Sequence, residues 1–167
     1  MESLKFDDLD LDFSNEYYAI IQEEKSIQMD SKEKKTGVLI VPYINTPNSD
    51  IKVIKSLFSG RVFKLSMSRT LNNPKAATYQ IRDSSTGAPI LRIDINKKHN
   101  NKIPGSHVHF FDPFNEDDDA AITLPLSYIG VEKGKENPIE ILKDMLEYFH
   151  VNGFKYIIEI DGPKLVY

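Results

Sequence analysis

Residues 91–111 read LRIDINKKHNNKIPGSHVHFF, and this stretch decides how the chain folds. Leu91, Ile93 and Ile95 alternate with Arg92 and Asp94, the two-residue period of a strand with one buried face. Pro104 and Gly105 then turn the chain, since proline presets its own φ and glycine tolerates φ > 0. From Ser106 the alternation resumes, with His107, His109 and Phe111 on one face and Val108 and Phe110 on the other. These two segments are therefore expected to be consecutive strands of a meander.

Upstream, residues 79–83 and 90–96 flank the turn SSTGAP and read as a hairpin. Residues 61–69 alternate again, with Phe63, Leu65 and Met67 opposed to Lys64, Ser66 and Ser68. The apolar run at 38–41, ended by Pro42, reads as a buried strand. Ile51, Ile54, Leu57 and Phe58 have helical spacing that Asp50 can cap, so residues 50–58 are expected to be helical. Asp12 or Ser14 can cap a helix running through Tyr17, Tyr18, Ile20 and Ile21 to about Lys25. Residues 28–36 read as a solvated link, 45–49 as a loop, and the acidic residues 1–12 as either a tail or an edge strand.

Downstream, the acidic run NEDDD at 115–119 reads as a solvated loop, with a carboxylate cluster for a divalent cation as the alternative. Ile122, Leu124 and Leu126 form an extended segment. A helix starts at Asn137, with Pro138 at its first position and Glu140 placed for a capping box. Its expected core stripe is Ile139, Leu142, Leu146 and Phe149, and Asn152-Gly153 is the expected stop. Phe154, Tyr156, Ile158 and Ile160 then alternate as a closing strand. The fold class expected is α+β: a curved, mainly antiparallel sheet with two to three packed helices. Residues 1–167 read as a single domain, with an acidic segment and helix in 1–36 and the sheet core in 37–167.

Composition narrows the function. A chain of 167 residues with 40% hydrophobic content and a mean hydropathy of −0.38 suits a water-exposed globular domain. No apolar run is long enough to span a membrane and no leader pattern is present, so a cytoplasmic protein without membrane contact is expected. The absence of cysteine excludes disulfides, thiol nucleophiles and cysteine-based zinc fingers. A net charge of −4 argues against coating nucleic acid by bulk electrostatics, while a local basic pocket still permits contact.

The chemistry concentrates where the strands meet. His107 and His109 at i and i+2 lie roughly 6–7 Å apart at Cα, close enough for both imidazoles to reach one phosphate or one ion. The first reading is acid–base cleavage of RNA without metal, His107 and His109 acting as the pair and Arg69 stabilising charge. His99, Lys98, Lys102, Arg92 and Tyr79 would bind the substrate. No cofactor is then required. The second reading is a metal centre on His107 and His109, with His99, Asp112 or Glu116 as third ligand. A third has no chemistry: two polar side chains on an exposed strand face, Arg69 and Arg92 solvated or ion-paired. Asp94 reads as an anchor for a basic side chain, and His150 as a helix-terminal residue favoured by the dipole.

Three elements, Leu91-Arg92-Ile93-Asp94, His99-Asn100-Asn101 and Pro104-Gly105-Ser106-His107-Val108-His109, resemble a family of small uncharacterised proteins from bacteria and their mobile elements. The resemblance spans roughly residues 60–150 and includes Leu124-Pro125-Leu126. The chain departs from it after His109, where FFDP and NEDDD replace a basic segment rich in glycine and tyrosine. The resemblance supplies no reaction. It implies a phage or mobile-element setting, in which inhibition of host defence is common, including anti-CRISPR proteins that attack guide RNA. The partner expected is RNA or a ribonucleoprotein complex. Alternatives from other classes are an acidic, non-catalytic mimic of nucleic acid and a metal-dependent enzyme acting on a small molecule.

Overall fold

A computed structural model describes residues 13–42, 49–70, 73–96, 105–114 and 122–160. The chain runs α1 (Asn15–Gln22), β1 (Lys25–Ile27), α2 (Ser31–Thr36), β2 (Val38–Pro42), β3 (Ser49–Ser56), β4 (Val62–Thr70), β5 (Asn73–Asp83), β6 (Pro89–Ile95), β7 (His107–Phe110), β8 (Ile122–Pro125), a 3-10 turn (Leu126–Ile129), α3 (Pro138–Tyr148), β9 (Val151–Asn152) and β10 (Tyr156–Ile160). Eight strands form an open sheet in the order β8-β7-β6-β5-β4-β3-β1-β9. From β3 to β8 it is an antiparallel meander. At the far edge β1 joins β3 antiparallel and β9 joins β1 in parallel, while β10 and β2 form a separate parallel pair. The fold is α+β, mainly antiparallel, with three α-helices among the described residues. Among the described residues no helix is long and apolar enough to cross a membrane.

One sheet face is the core. Phe63, Leu65, Met67, Tyr79, Ile81, Leu91, Ile93, Val108 and Phe110 point into it, each fully buried. Helix α3 brings Ile141, Leu142, Met145 and Leu146, and Phe149 meets Phe63 edge-on at 5.2 Å. Helix α1 adds Tyr17, Ile20 and Ile21, and the Tyr17 hydroxyl donates to the Ile90 carbonyl at 2.7 Å. Ser14 caps α1 as expected and is itself held by Asp112, which accepts from the Ser14 amide at 2.6 Å and its hydroxyl at 2.9 Å. Burying each such aliphatic or aromatic side chain is worth about 1.5–3 kcal/mol, so this face holds the fold together.

Several expectations need correction. Residues 49–56 are strand β3, not a helix. A register shift between Asp50 and Lys52 breaks the alternation, so the apolar residues imitate a helical spacing. The link at 28–36 contains α2, started by a capping box in which Asp30 and Glu33 bond each other's backbone. The core stripe of α3 keeps Leu142, Leu146 and Phe149 as expected but is wider, with Ile141 and Met145 also buried and Ile139 only partly so. That helix ends before Asn152: Phe149 is its C-cap, His150 turns the chain at φ 60°, and Asn152 already lies in β9. In β10 the phase is inverted, with Ile157 buried while Tyr156 and Ile158 are exposed. Residues 1–12, 45–48 and the acidic run at 115–119 lie outside the described residues.

Glu33 lies in the segment expected to be solvated, yet it is fully buried. Its carboxylate accepts from the amides of Asp30 and Ile40 and pairs with Lys52. Burial pushes the carboxyl up, but the bonds from Lys52, Ile40 and Asp30 prevail and hold it below its ordinary range. Glu33→Gln is expected to cost about 2 kcal/mol, less than a wholly buried pair because Lys52 reaches solvent. Urea denaturation at pH 7 measures it. An unchanged midpoint would assign α2 no part in holding β2.

Candidate metal centre

Four adjacent strands build the site. Antiparallel pairing sets Asp94 of β6 opposite His107 of β7 and Arg92 opposite His109. On the flanks, Thr78 of β5 lies opposite Asp94, and Thr123 of β8 lies opposite His109. All these positions share the sheet face away from Tyr79, Ile93 and Val108, because side chains alternate along each strand. The ends of the 97–104 connection are tied where the Asn96 amide donates to Ser106 Oγ at 3.0 Å.

The side chains converge on one oxygen. His109 Nε2 lies 2.9 Å and His107 Nε2 3.2 Å from Asp94 Oδ2, and Arg92 Nε stands 3.4 Å from the same atom. The other carboxylate oxygen accepts from the Thr78 hydroxyl at 2.7 Å, and His109 Nδ1 is 2.9 Å from the Thr123 hydroxyl. The two imidazoles stand edge to face with centroids 4.6 Å apart. His107 is fully buried, Asp94 is 2% exposed and His109 8%. Arg92, at 31% side-chain exposure, is more open than Asp94 and the two histidines. Its guanidinium lies over the Phe111 ring at 5.6 Å, and that ring stacks with His109.

Burial alone would push the Asp94 carboxyl up. Hydrogen bonds from His109 and Thr78, with the charge of Arg92, overcome it and hold the group well below the usual carboxylate range. At neutral pH Asp94 is therefore an anion facing two imidazole nitrogens. Among the described residues, one ligand atom from each of Asp94, His107 and His109 lies within 4.8 Å of the others. Each of Asp94 and His109 is also oriented by a threonine behind it, the outer-shell support that ligating side chains need.

Not every expected residue joins this group. Tyr79 points into the core from the opposite face and is fully buried, which removes it as a substrate contact. The histidines are not on an exposed face: His107 is fully buried and His109 is 8% exposed. Asp112 is spent on Ser14 and the Phe114 amide, so it is no third ligand. His150 bonds the Ile21 carbonyl through Nδ1, in contact with α1. Arg69 sits on β4 opposite Ala77, its side chain outside the described residues, as are Lys98, His99, Lys102 and Glu116. Asp94 anchors Arg92, as its strand position suggested, but its place between both histidines was missed, as were Thr78 and Thr123.

Comparison with known proteins places the chain in a family without assigning a reaction. No curated protein and no solved structure matches it. A family of unknown function, DUF6978, matches residues 13–151, and the chain belongs to that family. The match takes in all four strands that build the centre.

Proposed function

We propose that this member of a family without an assigned activity binds one divalent ion through Asp94, His107 and His109 and acts as a metal-dependent enzyme. One observation carries the reading: two imidazole nitrogens and a carboxylate oxygen, from two neighbouring strands, lie within 4.8 Å of one another. Ligands about 2.0–2.2 Å from a shared ion stand roughly 3 Å apart, and the two histidine–carboxylate separations are 2.9 and 3.2 Å. Two imidazoles and one carboxylate suit zinc, iron(II) or manganese and leave coordination positions for water or substrate. The ion would supply Lewis acidity. Thr123 serves either state of His109, donating to a bare Nδ1 or accepting from Nδ1–H when Nε2 is a ligand.

RNA or a ribonucleoprotein remains the substrate class suggested by the residue pattern at 91–109, as do the mobile-element setting, a role against host defence and a cytoplasmic location. The metal-free acid–base reading has less support. Both histidine Nε2 atoms turn towards Asp94, and His109 Nδ1 is engaged by Thr123, which leaves no paired nitrogens facing an open space.

Metal content tests the proposal. Protein equilibrated with zinc, cobalt(II) or iron(II) and then desalted is expected to hold about one ion per chain by elemental analysis. The His107→Ala/His109→Ala variant, checked for folding by circular dichroism, is expected to hold none. Wild type free of all three metals, or a folded variant that keeps its ion, would sink the proposal. RNA cleavage that persists in chelator would restore the acid–base pair.

A further inference from the structure

The charge of the centre determines what else it must bind. Asp94 and Arg92 balance each other while the two imidazoles are neutral. Counted over the described residues, a divalent ion on the three ligands leaves two positive charges in excess, beside groups that are 0–8% exposed. The residues facing the centre from the adjoining strands are neutral: Thr78 and Gln80 of β5, and Thr123 of β8. Ser66 of β4, opposite Gln80, is neutral too. Uncompensated charge in so enclosed a place is strongly unfavourable, because the ion has lost its water without gaining a partner. A neutral water leaves the excess in place; hydroxide formed from it removes one charge, and an oxyanion that also pairs with Arg92 removes it while meeting both cations.

Building on the metal reading, we propose that the substrate is an oxyanion, a phosphate or carboxylate group bound between the ion and the Arg92 guanidinium. Arg92 is placed for it. Its Nε faces Asp94 while the side chain, about a third exposed, stands where solvent reaches the group, steadied by the Phe111 ring. A planar guanidinium offers further N–H donors in a fork that fits either oxyanion, and a more weakly hydrated charge than lysine. The ion would hold one oxygen and Arg92 another, fixing the orientation of the reacting group.

Cobalt(II) makes the binding visible, because its ligand-field absorption responds to a new ligand. Wild-type protein loaded with cobalt(II) is titrated with methylphosphonate in one arm and acetate in the other. A saturable spectral change in at least one arm is expected. Saturation by methylphosphonate alone assigns a phosphate-type substrate, by acetate alone a carboxylate. Arg92→Ala is expected to load cobalt(II) to the same stoichiometry but to need roughly 30-fold more anion, as for a lost charged hydrogen bond. Arg92→Lys should fall between. No response in either arm, or an equal response in Arg92→Ala, would overturn the proposal with the metal reading intact. Failure of wild type to load cobalt(II), seen before any anion is added, overturns both.

Discussion

Zinc at a hundredfold excess over its dissociation constant is expected to raise the thermal midpoint of the wild-type protein by about 5–11 °C, and Asp94→Asn to abolish that rise. A ligand at this excess that binds only the folded state contributes about 2.7 kcal/mol. In a chain of this size each kcal/mol moves the midpoint by about 2–4 °C. The substitution is chosen for what it leaves in place. Asparagine keeps the volume of Asp94, and its amide oxygen can still accept from Thr78, which now donates to Oδ1 at 2.7 Å. What it removes is the negative charge on which both imidazoles and Arg92 converge. A neutral amide neither offsets the charge of the ion nor ligates as strongly as a carboxylate, so the stabilisation should vanish even where the fold persists. Differential scanning fluorimetry with and without zinc reads the effect. An equal rise in both proteins would place zinc elsewhere, and no rise in wild type would remove the centre.

The strands that carry the centre could be read from alternation, because Leu91, Ile93, Val108 and Phe110 are buried as their spacing requires. Of the centre, the two histidines could be read but not the carboxylate between them. Which residue of β7 stands opposite Asp94 depends on pairing register, and an intervening connection as long as residues 96–106 leaves register open. A shift of one residue would have turned His107 and His109 to the core face. Thr78 and Thr123 are invisible for the same reason, since each matters only through the strand it sits beside. Local errors have local causes. The bulge between Asp50 and Lys52 hid a strand behind a helical spacing. In β10 a run of Tyr156, Ile157 and Ile158 fits either phase, and burial against β2 and α3 selects Ile157. The capping box of α2 was the one missed element with a clear sequence signature, Asp30 followed by Glu33.

Lys25 presents the largest expected dependence of stability on pH. It is fully buried, with Nζ donating to the carbonyls of Glu23 and Phe149 at 2.7 Å and of Ile21 at 3.3 Å, and it lies 3.8 Å over the Phe149 ring. The side chain thereby joins the ends of α1 and α3. Burial pushes its ammonium from the ordinary 10.5 down to about 7, against the opposing pull of Glu23 and Glu24. Below about 7 both folded and unfolded chains carry the proton, and the contribution is constant. Between that value and 10.5 the folded chain sheds a proton that the unfolded chain keeps, so stability rises with pH. The slope is about 1.4 kcal/mol per pH unit, or about 2–3 kcal/mol between pH 7 and 9. Lys25→Met keeps the apolar stem and deletes the titration, at a cost of about 2–4 kcal/mol for three buried carbonyls deprived of this donor. Urea denaturation of both proteins at pH 6 and pH 9 is expected to show the gap between them widening at the higher pH. A gap of the same size at both would mean that the three carbonyls hold the ammonium charged throughout, with α1 and α3 joined by a cation.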